Sequence, residues 1–228
     1  MSILVVGSVA LDSIRTPFGE AEEILGGSAT YFSVAASFFS PVRLVAVVGD
    51  DFPSEHVDFL RSRGVDTRGL RTVKGSTFRW RGYYTYDLNE AHTLETQLNV
   101  FEGFDPDIPE EYRDSEYVFL ANIDPELQLK VLEQVRSPRL VVCDTMNFWI
   151  ENKREALMET VSRVDWLLLN DAEARQLAQD PNLISAGRKL LGMGPERVII
   201  KKGEHGFIML AEEVFFSLPA YPLETVFD

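Results

Sequence analysis

An α/β fold with a largely parallel central sheet and a small antiparallel sheet standing off it is what this sequence predicts, on three observations. Short runs rich in Val, Ile and Leu alternate with amphipathic stretches, the pattern of helices covering both faces of a parallel sheet. Glycine-bearing turns follow several of these runs. One segment, Thr77 to Tyr86, breaks the rhythm by alternating residue by residue.

The expected core strands are Ile3 to Val6, Val42 to Val47, Tyr117 to Ala121, Arg139 to Cys143, Trp166 to Leu169 and Arg197 to Lys201. Helices are expected over Ser28 to Phe39, Ser54 to Arg63, Glu126 to Arg136, Glu151 to Arg163, Asp171 to Gln179 and Asn182 to Leu191. In the alternating segment, Phe78, Trp80, Tyr84 and Tyr86 share one face, and Arg79, Arg81, Tyr83 and Thr85 the other. With residues 12–16, 70–73 and 93–99, the segment 77–86 is assigned to the small antiparallel sheet. Its aromatic face requires cover from a substrate, another subunit or the parent domain.

Composition narrows the function. A formal charge of −14 argues against generic attraction to nucleic acid or anionic membranes. The apolar runs are too short to cross a bilayer, and Met1 leads into a strand without a basic leader, so a cytoplasmic location is expected. The single cysteine, Cys143, sits in an apolar run and reads as a small buried hydrophobe. Small-molecule chemistry is the class that remains.

Three clusters carry candidate chemistry. Asp12 follows the first strand, where ligands bind open α/β sheets, and the Gly26-Gly27-Ser28 turn starts an apolar helix. Asn170 and Glu173 follow the strand ending at Leu169; their spacing is that of a helix capping box, and the same helix start could orient hydrated magnesium. Lys201 and Lys202 end a strand ahead of Gly203 and Gly206, where ammonium groups could meet phosphates. His56, His92 and His205 carry no assigned role.

In order and spacing these clusters, with Val48-Gly49-Asp50-Asp51-Phe52 and Gly64-Val65-Asp66, resemble the ribokinase-like or PfkB family of carbohydrate and nucleoside kinases over essentially the whole length. The resemblance implies a ribokinase-like three-layer sandwich whose small sheet is a lid over the sugar, a setting that also raises a homodimer through that lid. It implies ATP and Mg2+ as cofactors and a sugar or nucleoside as acceptor. By resemblance Asp12, Gly26, Gly27, Ser28 and Tyr31 bind substrate, with Asn122 and Asn147 as further pocket candidates. Asn170, Glu173, Lys201, Lys202, Gly203, Gly206 and Asp228 border the nucleotide, and Glu173 meets the metal indirectly, through water.

Two departures from the family pattern stand out. The helix after the paired glycines runs Ser28-Ala29-Thr30-Tyr31, without the usual sugar-contacting Asn, and Lys201 stands where a Thr is usual. The Gly-Ala-Gly-Asp motif that supplies the family's anion hole and catalytic base is not found in the 228 residues. Residues 1–228 are therefore expected to form an incomplete kinase domain, its base beyond Asp228, and to be inactive or nearly so. The alternative is a non-catalytic sugar- or nucleoside-binding regulatory protein of the same fold.

Overall fold

Continuous apolar runs belong to strands buried on both faces, and Ile3–Val6 is the first of them. The computed structural model describes residues 2–86, 88 and 91–224, and the chain divides into two compact units, Met1–Val141 and Val142–Asp228. Asp228, a nucleotide-site candidate, lies outside the described residues.

In the first unit, β1 (Ile3–Val6) runs parallel to both its neighbours, β4 (Val42–Gly49) and β8 (Tyr117–Leu120). β5 (Val65–Val73) pairs with β4, giving the order β8-β1-β4-β5. Leu4, Val5, Val6 and Leu44 are fully buried in it. Helices α1 (Ser28–Ser37), α2 (Ser54–Ser62) and α3 (Pro125–Gln134) belong to this unit. Asp124 caps α3 by accepting from the Glu126 N–H, with Pro125 at the first helical position, where a missing N–H costs nothing.

The small sheet contains β2 (Ala10–Thr16), β3 (Gly19–Gly26), β6 (Arg79–Tyr84) and β7 (Ala91–Gln97), in the order β3-β2-β6-β7. Its β2–β3 and β6–β7 pairings are antiparallel; β2–β6 is parallel. The membership differs from the sequence expectation in one respect. Leu70–Val73 continues β5, level with Ala46–Gly49, because Val65, Thr67 and Gly69 bury one side of a single long strand. Residues 19–26 take the vacated place. Their run of exposed acids, Glu20, Glu22 and Glu23, has no apolar alternation to announce a strand.

A polar knot fastens this sheet to the loop after β4. Asp51 Oδ1 accepts from the Thr77 N–H and the Thr77 hydroxyl, both at 2.7 Å, and Asp51 Oδ2 meets Arg79 Nη1 at 2.8 Å. Arg79 also grips Glu23 at 2.9 Å across the sheet. The Val48–Phe52 motif thus pins the chain where it enters β6.

In the second unit, β9 (Leu140–Asp144), which spans the unit boundary, β10 (Trp166–Asn170) and β11 (Arg197–Lys201) are parallel. β12 (Phe207–Leu210) and β13 (Phe215–Leu218) follow antiparallel. Leu167, Leu169, Val198, Ile200 and Leu210 form the core with Leu157, Leu177 and Leu190 from α5 (Arg154–Val161), α6 (Asp171–Ala178) and α7 (Leu183–Leu191). The single helix expected over Glu151–Arg163 is split: α4 (Asn147–Asn152) ends at Lys153, whose backbone (φ −135°, ψ 40°) leaves the helical region. Cys143 is buried, and among the described residues no helix is long and apolar enough to cross a membrane.

Asp51→Ala strands the amide and hydroxyl of fully buried Thr77. It should lower stability in urea by about 1–3 kcal/mol. Asp51→Asn, which keeps an acceptor oxygen, should cost less.

Candidate functional site

The first-unit candidates meet around one turn. β2 delivers Asp12, which is 9% exposed, and β3 ends at Gly26 directly against it. A Cβ on Gly26 would stand 1.9 Å from Asp12 Oδ2, so only glycine lets the carboxylate occupy that place. Gly27 caps α1 with φ 94°, and a Cβ there would strike the Ser8 carbonyl oxygen at 2.4 Å. The Gly27 N–H donates to Asp12.

Ser8, which the sequence reading passed over, holds the turn from the other side. The Ser28 N–H donates to Ser8 Oγ at 3.1 Å, the Ala29 N–H to the Ser8 carbonyl at 3.0 Å, and Thr30 Oγ1 to the Gly26 carbonyl at 2.7 Å. Ser28 Oγ donates to the Asn122 carbonyl at 3.3 Å, so Asn122 joins through its backbone. The first amides of α1 are therefore engaged within the protein. Tyr31, 52% exposed, stands one turn into α1.

Burial pushes the Asp12 carboxyl up to about 6, against the Gly27 hydrogen bond, which pulls it down. An ionised carboxylate accepts hydrogen bonds only, the chemistry required to hold paired hydroxyls.

The second unit assembles the remaining candidates at the carboxyl ends of adjacent parallel strands. Asn170 ends β10 level with Lys201 at the end of β11, and β9 ends nearby at Asp144, level with Leu168. Asn170 and Glu173 form a complete capping box: Asn170 Oδ1 accepts from the Glu173 N–H at 2.8 Å, and Glu173 Oε2 accepts from the Asn170 N–H at 2.7 Å. Lys201 Nζ donates to Asp144 Oδ1 at 3.2 Å.

Asp144 is the residue the sequence reading missed. Its signal was there: an acid closing an apolar strand at the edge where Asn170 was noticed. Burial pushes Asp144 up, against the pull of Lys201. Burial likewise pushes Glu173 up to about 7, with the Asn170 N–H and Lys201 pulling down and the charges of Asp144 and Asp171 adding to the rise. Two poorly solvated carboxylates thus share one ammonium group.

Gly203 opens a short 3-10 turn after Lys202, and the Lys202 N–H donates to the Gly206 carbonyl at 2.8 Å, closing the loop between β11 and β12. Asn147 is exposed at the first position of α4, in the second unit, whereas the other substrate candidates stand in the first.

Residues 2–228 match the family described as pfkB family carbohydrate kinase. The chain belongs to that family. A cytidine kinase of Thermococcus kodakarensis is 30% identical to this PfkB chain over 227 residues, covering 98% of the chain and 81% of the relative. Solved PfkB-fold structures agree. A putative ribokinase II from E. coli in complex with ATP and Mg2+ superposes with a TM-score of 0.80 at 16% identity, covering 99% of this chain and 80% of that one. The adenosine kinase of Sinorhizobium meliloti gives 0.80 at 18% identity, covering 100% and 82%. At these identities the two structures establish the fold, a large mostly parallel sheet with a small second sheet.

The raised pKa of Asp12 predicts a pH effect whose sign is fixed. Its folded value, about 6, exceeds the ordinary 3.8, so the native state holds the proton more tightly. This contribution is fully present below about pH 4 and is lost as pH rises through 6. Asp12→Asn removes the loss. Urea denaturation should show the variant gaining on the wild type between pH 4 and 7, by on the order of 2–3 kcal/mol.

Proposed function

We propose that this PfkB chain belongs to an ATP-dependent phosphotransferase that acts on a hydroxyl group of a nucleoside or sugar. The observation that carries the acceptor half is Asp12, a buried carboxylate set against a side-chain-free turn, with acceptor capacity directed at hydroxyl donors. The name of the cytidine kinase relative favours a nucleoside over a free sugar.

For the donor half, the residues present fit a hard divalent cation. Magnesium keeps several waters and takes few protein ligands. Asp144 and Glu173 supply two poorly solvated carboxylates of that kind. When bound, Mg2+ supplies neutralisation of charge on the transferred phosphoryl group. Asn170 fixes the Glu173 carboxylate through the capping box, and Lys201 holds Asp144 and offers an ammonium group to phosphate oxygens.

The 228 residues contain no Gly-Ala-Gly-Asp sequence. The rival reading, a non-catalytic binding protein of the same fold, expects acceptor binding without phosphate transfer. A turnover assay separates the two. Coupled ADP release with cytidine, adenosine and ribose should show Mg2+-dependent turnover with at least one acceptor; binding of an acceptor with no turnover by any of them would favour the rival.

Within that assay, Glu173→Gln keeps the capping geometry, since glutamine also serves at that position. Its kcat should fall by roughly 100-fold or more, the scale set by losing one charge-stabilising group. Its urea midpoint should stay near wild type. Loss of folding and activity together would instead assign Glu173 to the cap alone.

A further inference from the structure

The face of the small sheet that carries Asp12 can be read from its register. Residues level across a sheet point to the same side, and alternate residues along a strand return to it. Asp12 is level with Ile24 on β3 and with Trp80 on β6; Ile14 is level with Gly82, and Gly82 with Thr93 on β7. Asp12, Ile14, Ile24, Trp80 and Gly82 therefore share one face. Ser13, Arg79, Arg81 and Glu95 share the other, which is charged.

Trp80 is held flat on the Asp12 face by two devices. A Cβ on Gly82 would stand 2.2 Å from Trp80 Cη2 and 2.3 Å from Cζ2, so the indole lies across the backbone of a residue that has no side chain to lift it. The indole N–H donates to Thr93 Oγ1 at 3.1 Å, fixing the ring along the same line and leaving no polar group of Trp80 unanswered. The ring remains partly exposed. A rigid, partly exposed aromatic plane thus stands on the strand next to that of a buried carboxylate and on the same face, an arrangement that offers a flat base a platform beside an acceptor of hydroxyl protons.

We propose that Trp80 is the specificity-determining residue for the acceptor, its indole the platform on which the base of a nucleoside stacks while Asp12 holds the ribose. This inference rests on Asp12 being the acceptor-binding acid. It selects the nucleoside from the two acceptor classes, because a free sugar has no planar base to stack.

Isothermal titration of the full-length gene product with cytidine, adenosine and ribose tests both levels. Trp80→Ala should weaken the binding of both nucleosides by about 5- to 150-fold, the span measured for one base on one aromatic ring. Its ribose affinity should stay within about threefold. Gly82→Ala, which pushes a methyl group into the indole, should weaken the nucleosides in the same direction. Wild-type binding of ribose but neither nucleoside, equal nucleoside affinity in wild type and Trp80→Ala, or equal losses for nucleosides and ribose would overturn the role of Trp80 and leave that of Asp12 standing. A wild type that binds none of the three overturns both.

Should Trp80→Ala lack a cooperative thermal transition, Trp80→Phe decides. A phenyl ring keeps the platform, so cytidine affinity should persist within about threefold while the cytidine-induced change in indole fluorescence disappears. Persistence of that change, or a shift in oligomeric state without a change in nucleoside affinity, overturns the proposal.

Discussion

Burying a carboxylate is expensive unless its surroundings give it a reason to stay, and at Asp12 the surroundings are almost entirely backbone. Gly26 approaches so closely that no other residue fits, and the Gly27 N–H donates to the carboxylate. Gly27 in turn holds φ at 94°, a conformation that side chains resist, and its place is fixed by the Ser8 carbonyl lying where a Cβ would go. The paired glycines are thus the condition under which β3 can end beside β2 and turn directly into α1. The position of Asp12, the entry of α1 and the register of the small sheet all depend on that turn.

The same sheet is kept in register by charge where it is not kept by packing. Its β3 strand is exposed from Gly19 to Glu23, so the hydrophobic pattern specifies it weakly. Between Asp12 and Ile14 the β2–β3 register shifts, and Glu23, on the shifted side, adopts φ 52°. Arg79 reaches this residue from β6 while also holding Asp51, and the Glu23 N–H donates to Ser13 Oγ at 3.3 Å. Exposed ion pairs contribute little singly. Here one guanidinium ties two strands to a loop of the first unit, and the effect is to set a geometry more than to add stability. Asp12 lies next to that shift, so a site made mostly of backbone is steadied by side chains that never touch it.

Much of this was legible in the letters. The strands of the large sheet were visible because they are short and apolar, buried on both faces at Leu4 to Val6 and on one face at Leu167 and Leu169. The capping box at Asn170 and Glu173 was visible because it depends on a fixed spacing of three residues. β3 was not, since exposed glutamates leave no periodic trace, and Leu70 to Val73 was assigned to the wrong sheet because Asp66, Arg68 and Arg71 broke the apolar run of β5. Asp144 was overlooked for a different reason. An acid closing an apolar strand is a faint signal by itself, and its partner Lys201 is 57 residues away. Trp80 was noticed as one of an alternating aromatic set, but only pairing could show that Gly82, silent in the sequence, is what lays the indole flat.

The charge of the chain bears on how it could handle a polyphosphate at all. A protein at −14 repels such a ligand at long range, and the usual remedy is a cluster of Lys and Arg. At the carboxyl ends of β9, β10 and β11 the structure takes another course: Lys201 is already paired with Asp144, and Glu173 adds a second buried carboxylate. Two acids around one ammonium leave an excess of negative charge when both are ionised, while burial is what pushes both carboxyls up. Such an excess repels phosphate alone and attracts a divalent cation. On the proposed reading, the two acids are there to admit the metal–nucleotide pair and to discriminate against the bare anion, a selectivity that a cluster of lysines would not provide.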